Sequence, residues 1–296
     1  MKQLFTALLL ICFCFVCSAS GVFEQVPADS NVVCKINVAE VLKRPEVNKV
    51  LNTKEALEGQ LEFAKNAGCS IKDIECAVIV MWQDNRTAVL LKLNKSISVE
   101  AAVKKFQSAD KKLVGKAAYY AINSGAVSQL SGDLVAFASP EDMPVFLAAA
   151  KGIPENLKTL AAKFAGKNAP IAWMVFGGKG IKFSGNASYG FTGRNNNDHI
   201  IASDIVFRKE KNAQQFAMMA PMYSGMFSGM LFGNAPELGA EVVKHFNVNI
   251  SGKTVSLSMH LPAALVDKIT VYAQDQGVKQ LQKVENSASP AIRKEQ

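Results

Sequence analysis

The run from His245 to His260 constrains the fold more than any other part of the chain. With Ser251-Gly252 as a two-residue loop, Phe246, Val248, Ile250, Val255, Leu257 and Met259 share one face. Asn247, Asn249, Thr254, Ser256 and Ser258 share the other, with His245 and His260. Successive side chains of a strand point to opposite sides, so this hairpin must pack one face and wet the other. A slip of one residue would invert every side chain, which fixes the register. Antiparallel sheet with helices on one face is the expected result.

A second stretch follows a similar plan. Tyr119 to Leu130 reads as two strands around Asn123 and a Ser124-Gly125 turn, followed by a further strand and a helix opened by Ser139-Pro140. After the later hairpin, Leu261-Pro262 also opens a helix. Proline suits a first helical turn because its missing N–H would be unpaired there. Upstream, Ala88–Leu93 precedes a helix carrying Ala102 and Phe106, and Ile200–Phe207 precedes one carrying Ala213 and Phe216. These parallels predict a tandem duplication joined near Gly152–Pro154. One α+β repeat would cover 21–152 and the second 153–277, leaving a polar tail at 278–296 that contains Pro290. Strand runs punctuated by helices favour α+β over an alternating parallel fold.

Strands are expected near 31–38, 73–82, 87–94, 117–123, 126–130 and 133–138, then near 170–177, 181–192, 198–207, 245–250 and 253–260. Helices are expected near 39–51, 54–67, 98–109, 140–151, 154–165, 210–232, 236–243 and 262–275.

Residues 1–20 have the form of a signal peptide. Lys2 is a positive start, Leu4 to Val16 an apolar run broken only by Thr6, and Ser18-Ala19-Ser20 a small-residue cleavage site. Cleavage after Ala19 or Ser20 would send the chain to the periplasm or outside the cell. Lipid attachment at Cys17 is disfavoured, because Val16 is too large for the position before a lipidated cysteine. No later segment has the roughly 18 uninterrupted apolar residues of a spanning helix, so no transmembrane segment is expected in the mature chain.

Of the 296 residues, 49% are apolar and 20% charged, enough to bury a core and too apolar for a disordered chain. Loss of Lys2 lowers the net charge from +8 to +7. The basic residues are mostly scattered lysines, as on solvated helix faces, with weak attraction to an anionic membrane or wall polymer as the alternative. Clustered arginines with interleaved aromatics are lacking, so no nucleic-acid partner is expected. Three cysteines survive cleavage, Cys34, Cys69 and Cys76. Cys34 and Cys76 fall in strand-like runs, and in an oxidising compartment they could form a disulfide; three buried thiols are the alternative.

The segment 210–232 is the most unusual. Met218, Met222, Met226 and Met230 recur every four residues beside Met219, Tyr223, Phe227 and Leu231, and Pro221 should kink or break the helix. Three readings fit: a core stripe with methionine as filler, a groove for lipid or hydrophobic peptide, or a Cu(I) site built on soft thioethers. The aromatic neighbours want burial, which favours the core. Met218, Met222, Tyr223, Met226, Phe227 and Met230 are the candidate ligand-binding residues if a groove forms.

Other constellations are weak. His245 and His260 lack the third ligand a metal needs. Gly177-Gly178-Lys179-Gly180 precedes strand rather than a helix and so does not read as a phosphate loop. No nucleophile elbow or zinc-protease motif is present, no catalytic residue can be assigned, and no cofactor is implied.

Val26-Pro27-Ala28-Asp29-Ser30 leads into the run Val32 to Val38 and a helix with Leu42, Pro45 and Val47, and Val255 to Pro262 closes the second half. Together these resemble a broad class of exported bacterial proteins of unknown function with two related α+β halves. The resemblance implies export and architecture, and no active site. A non-enzymatic cell-envelope protein that binds a hydrophobic ligand or a protein partner is the expected function. The alternatives are a hydrolase with unrecognised chemistry and a copper binder.

Overall fold

The computed structural model describes residues 21–52, 56–58, 60–61, 69–82, 85–104, 109–122, 125–164, 170–178, 183–192 and 198–288. The segment 1–20, expected to be a signal peptide, most of the helix expected at 54–67, and Lys179-Gly180 lie outside the described residues.

The fold is α+β, built on a single 12-stranded sheet. Its first seven strands are β1 (Ser30–Ile36), β2 (Ile74–Trp82), β3 (Arg86–Leu93), β4 (Asp110–Val114), β5 (Ala117–Ile122), β6 (Gly125–Ser131) and β7 (Leu134–Ala138). The others are β8 (Ala172–Phe176), β9 (Phe183–Thr192), β10 (Asp198–Phe207), β11 (Phe246–Ser251) and β12 (Thr254–Leu261). The helices are α1 (Val38–Val41), α2 (Pro45–Leu51), α3 (Val99–Val103), α4 (Asp142–Ala148), α5 (Glu155–Ala162), α6 (Glu210–Leu231), α7 (Pro236–Val243) and α8 (Ala263–Ala288).

Strands run in the order β11-β12-β10-β9-β8-β1-β2-β3-β7-β6-β5-β4. The two halves of the chain meet edge to edge at β1 and β8, which pair antiparallel with Cys34 opposite Met174. On each side of that seam a three-strand meander is followed by helix and then by further strands, four in the first half (β4–β7) and two in the second (β11–β12). The last strand of each set returns to the meander, β7 to β3 and β12 to β10. The hairpin in the position of β11–β12 is therefore β6–β7, turning at Gly132-Asp133, and not β5–β6 as the sequence pattern suggests.

Hairpin β11–β12 keeps the expected faces, but its loop is Gly252-Lys253 rather than Ser251-Gly252. Phe246 therefore stands opposite Met259 and Ile250 opposite Val255, a shift of two that leaves each side chain on its expected side. Helices α6 and α7 lie on its apolar face. The first half departs from the one-sided expectation. Val33, Val78, Val80, Trp82 and Leu90 pack with Met143 and Phe146 of α4 and Leu157 of α5. On the opposite face Leu93, Tyr120 and Val135 meet Val99 and Val103 of α3, and Ile36 and Ala77 meet Val41 of α1. Strands β1–β3 are apolar on both sides, and such runs must be covered twice.

Local signals explain several helix starts. Asn37 accepts from the Glu40 N–H at 2.7 Å and Ser98 from the Ala101 N–H at 3.1 Å, each meeting an otherwise unpaired amide of a first turn. Asp198 does the same for α8, accepting from the Ala263 N–H at 3.2 Å. Helix α8 continues to Ala288, so the loose tail expected from 278 is helical for its first part, and Pro290 stands just past its end.

The disulfide between Cys34 and Cys76 does not form, and the described cysteines carry thiols. Cys34 stands opposite Ile79, three residues from Cys76, so the two side chains leave the sheet on opposite faces. Strand β4 was not expected: Asp110-Lys111-Lys112 looks like helix surface in sequence, and here it forms a charged edge strand of the kind that resists edge-to-edge pairing.

Candidate functional site

Helix α6 leaves β10 and crosses the apolar face of β11 and β12. A file of aromatic rings directs it there. Phe176 touches Phe183 at 5.9 Å between ring centres, Phe183 touches Phe207 at 5.9 Å, and Phe207 touches Phe216 of α6 at 5.3 Å. Pro221 does not break the helix, which runs from Glu210 to Leu231. Proline removes one N–H and leaves its carbonyl, which here accepts from the Ser224 hydroxyl at 2.8 Å.

The packed side of α6 is made of small residues. Ala213, Ala220 and Ser228 are buried. Helix α7, opened by Pro236, approaches closely because Gly239 has no side chain: a Cβ there would lie 2.5 Å from the Ser228 oxygen. Phe232 and Val242 then join Leu261 of β12 and Leu265 of α8 in a local core.

The methionines face the other way. Met218 is 74% exposed, Met226 64% and Met230 74%, with Met222, Met219, Phe227 and Leu231 also exposed. The core-stripe reading is therefore wrong for this helix. Small residues take the inward positions, and nothing covers the large ones in the chain as described. Tyr223 sits at the margin, its hydroxyl 3.9 Å from the Met219 sulfur.

Between α6, α7 and the hairpin lies an apolar cleft of about 360 Å³. Phe216, Tyr223 and Phe227 line it from α6, Val242 from α7, and Leu257 and Met259 from β12. Its size falls in the range of small-molecule sites, and its lining suits a hydrocarbon chain. Of the six candidate residues, Tyr223 and Phe227 line the cleft, whereas Met218, Met222, Met226 and Met230 form the outer face of the same helix. Sequence reasoning missed Val242, Leu257 and Met259 as site residues. The alternation had placed Leu257 and Met259 on a packed face without showing that the packing is incomplete.

The remaining sequence candidates are dispersed. His260 lies 3.5 Å from the Asp198 carboxylate, its N–H donating to the His245 carbonyl at 3.4 Å. His199 is buried with its Nδ1 2.5 Å from the Tyr189 hydroxyl. Among the described residues no three His, Cys, Asp or Glu side chains gather as a metal site requires.

No family model and no curated protein matches the chain. Among solved structures it is similar to TP0453 in crystal forms III, I and IV, with TM-scores of 0.49, 0.45 and 0.43 and identities of 7%, 9% and 7%. These alignments cover 85%, 85% and 84% of this chain and 98%, 97% and 96% of the other. Likeness at that level carries no conclusion about function.

Proposed function

We propose that the chain is an exported, non-enzymatic binding protein of the cell envelope that holds an apolar ligand in the cleft under α6. The observation that carries this reading is an apolar cleft continuous with an outward apolar helix face through Tyr223 and Phe227. Fully burying a side chain of this kind stabilises by about 1.5–3 kcal/mol relative to leaving it in water. Of the exposed apolar side chains of α6, Tyr223 and Phe227 line the cleft, and an apolar ligand there takes both further out of water. The signal-peptide pattern of 1–20 supports export to the periplasm or beyond. The meander and the returning last strand shared by the two sides of the β1–β8 seam support an origin by duplication, with halves 21–152 and 153–277 and with β4 and β5 additional in the first.

The test is titration with a dansyl-labelled fatty acid. Saturable enhancement of its fluorescence is the expected result, and Ser224→Phe, which places a ring in the cleft, abolishes it while the protein stays folded. Absence of saturable binding to the wild-type chain contradicts the reading.

A further inference from the structure

The outer face of α6 has a feature the cleft does not need. From Asn212 to Pro236 there is no charged residue, so neither the face nor its margins carry the charges that usually rim a helix in contact with water. Exposed large side chains also extend far around the helix. At about 100° per residue, Met218, Met222, Met226, Met219, Met230 and Tyr223 together span about 140° of the circumference, and Phe227 carries the apolar surface on to the cleft. A single partner helix covers a narrower stripe. A surface into which the helix sinks covers a broad one.

Charge gathers at one end of this face. Arg208, Lys209 and Lys211 lead into α6, and all three are exposed. Lys211 is seven residues before Met218 and so lies on the same stripe. The Lys253 carbonyl accepts from the Phe207 N–H at 2.9 Å, which brings a fourth basic residue to that end. Glu210 is the acid within this group, and Lys244 follows α7 at the far side. Of the nearby acids, Glu241 is paired with Lys268 at 3.0 Å and Glu237 lies in the first turn of α7.

We infer that α6 docks in the plane of an anionic lipid surface, with Met218, Met222, Met226 and Met230 among the acyl chains and the 208–211 and Lys253 group against the headgroups. The inference rests on the binding reading above and names the surface from which the cleft would take its ligand. Flexible thioethers suit a fluid acyl phase better than the fixed shape of one protein partner. From Met218 to Leu231 the helix is about 20 Å long, and no described helix is long and apolar enough to cross a membrane. Lying in the interface is the arrangement left to a helix with this face and these flanks.

Co-flotation of the mature chain with vesicles tests this. Vesicles of equimolar phosphatidylglycerol and phosphatidylcholine should bind it at low salt, and pure phosphatidylcholine about tenfold more weakly or less. Met222→Glu with Met226→Glu, and separately Lys209→Glu with Lys211→Glu, should each weaken binding by about tenfold or more. Both variants should keep the wild-type melting temperature and the dansyl fatty acid, since none of these residues lines the cleft. Failure of the wild type to bind phosphatidylglycerol vesicles overturns the inference, as does binding that both variants retain. A concentration-dependent dimer that Met222→Glu with Met226→Glu disperses, without vesicle binding, assigns the face to a second copy and also overturns it. Vesicle failure with fatty-acid binding intact rejects the lipid surface alone, whereas loss of fatty-acid binding rejects the cleft.

Discussion

Lys151 shows how one residue couples the core to pH. Its ammonium lies over the Phe146 ring, 3.6 Å from the centroid, and donates to the Phe146 carbonyl. Burial pulls its pKa down to about 8 from the usual 10.5, with Asp29 acting in the opposite sense. Between those values the unfolded chain holds a proton that the native chain has released, so stability rises with pH through that window. Wild type should therefore gain melting temperature relative to Lys151→Met as pH increases from about 8 to 10. A constant difference between the two proteins would contradict this assignment. Phe146 itself is fully buried and packs tilted against Trp82, 5.7 Å between ring centres. Phe146→Ala should cost about 3–5 kcal/mol in chemical denaturation. A loss below about 1 kcal/mol would mean that this part of the core collapses around the deletion. The cysteines teach a further lesson at this scale: their strands were correctly placed and neighbouring, but register decides which face each thiol takes, and composition does not specify register between strands so far apart in sequence.

Among the elements, α6 separates what periodicity can and cannot say. The four-residue recurrence of methionine was legible and located the helix, including its ends to within a residue. Which side faces inward was not legible. Aromatic neighbours argued for burying the methionines, but Ala213, Ala220 and Ser228 take the inner side, and at Ser228 the close approach of Gly239 in α7 leaves no room for a large side chain. The missing charge between Asn212 and Pro236 was the available signal. Glycine substitutions test the orientation directly. A Cβ at Gly225 or Gly229 meets nothing within 4 Å, so each alanine replacement should stabilise by about 0.5–1 kcal/mol through helix propensity. Gly239→Ala should destabilise, because its methyl group would press on Ser228. If thermal denaturation shows Gly225→Ala or Gly229→Ala to be as harmful as Gly239→Ala, the outer face is not open.

At the scale of the whole molecule, the seam between β1 and β8 determines how the chain unfolds. One core holds Val33, Val78 and Trp82 together with Trp173 and Val175 from across that seam. Pairing and packing both cross it, so calorimetry of the mature protein should show a single cooperative transition. Two separate transitions would mean that the halves are independent domains. The Ser-Gly turn and the helix-opening proline of the first half point to β5–β6 as the counterpart of β11–β12, one strand away from β6–β7, because a turn motif is local and the return of the last strand to the meander is not. The hydrophobic alternation of β11–β12 was legible in full because a hairpin carries both its strands and its turn within one local stretch. Coverage of both faces of β1–β3 depends on contacts distant in sequence, and no local period reports them.

Oxidative footprinting with dilute hydrogen peroxide tests the outward methionine face most directly. Met218, Met222, Met226 and Met230 should convert quickly to sulfoxides while Met143, fully buried against Phe146 and its neighbours, resists. Vesicles containing phosphatidylglycerol should then protect the four. Resistance of all four together with Met143 would return the stripe to the core, and fast oxidation unchanged by the vesicles would contradict docking of α6 on lipid.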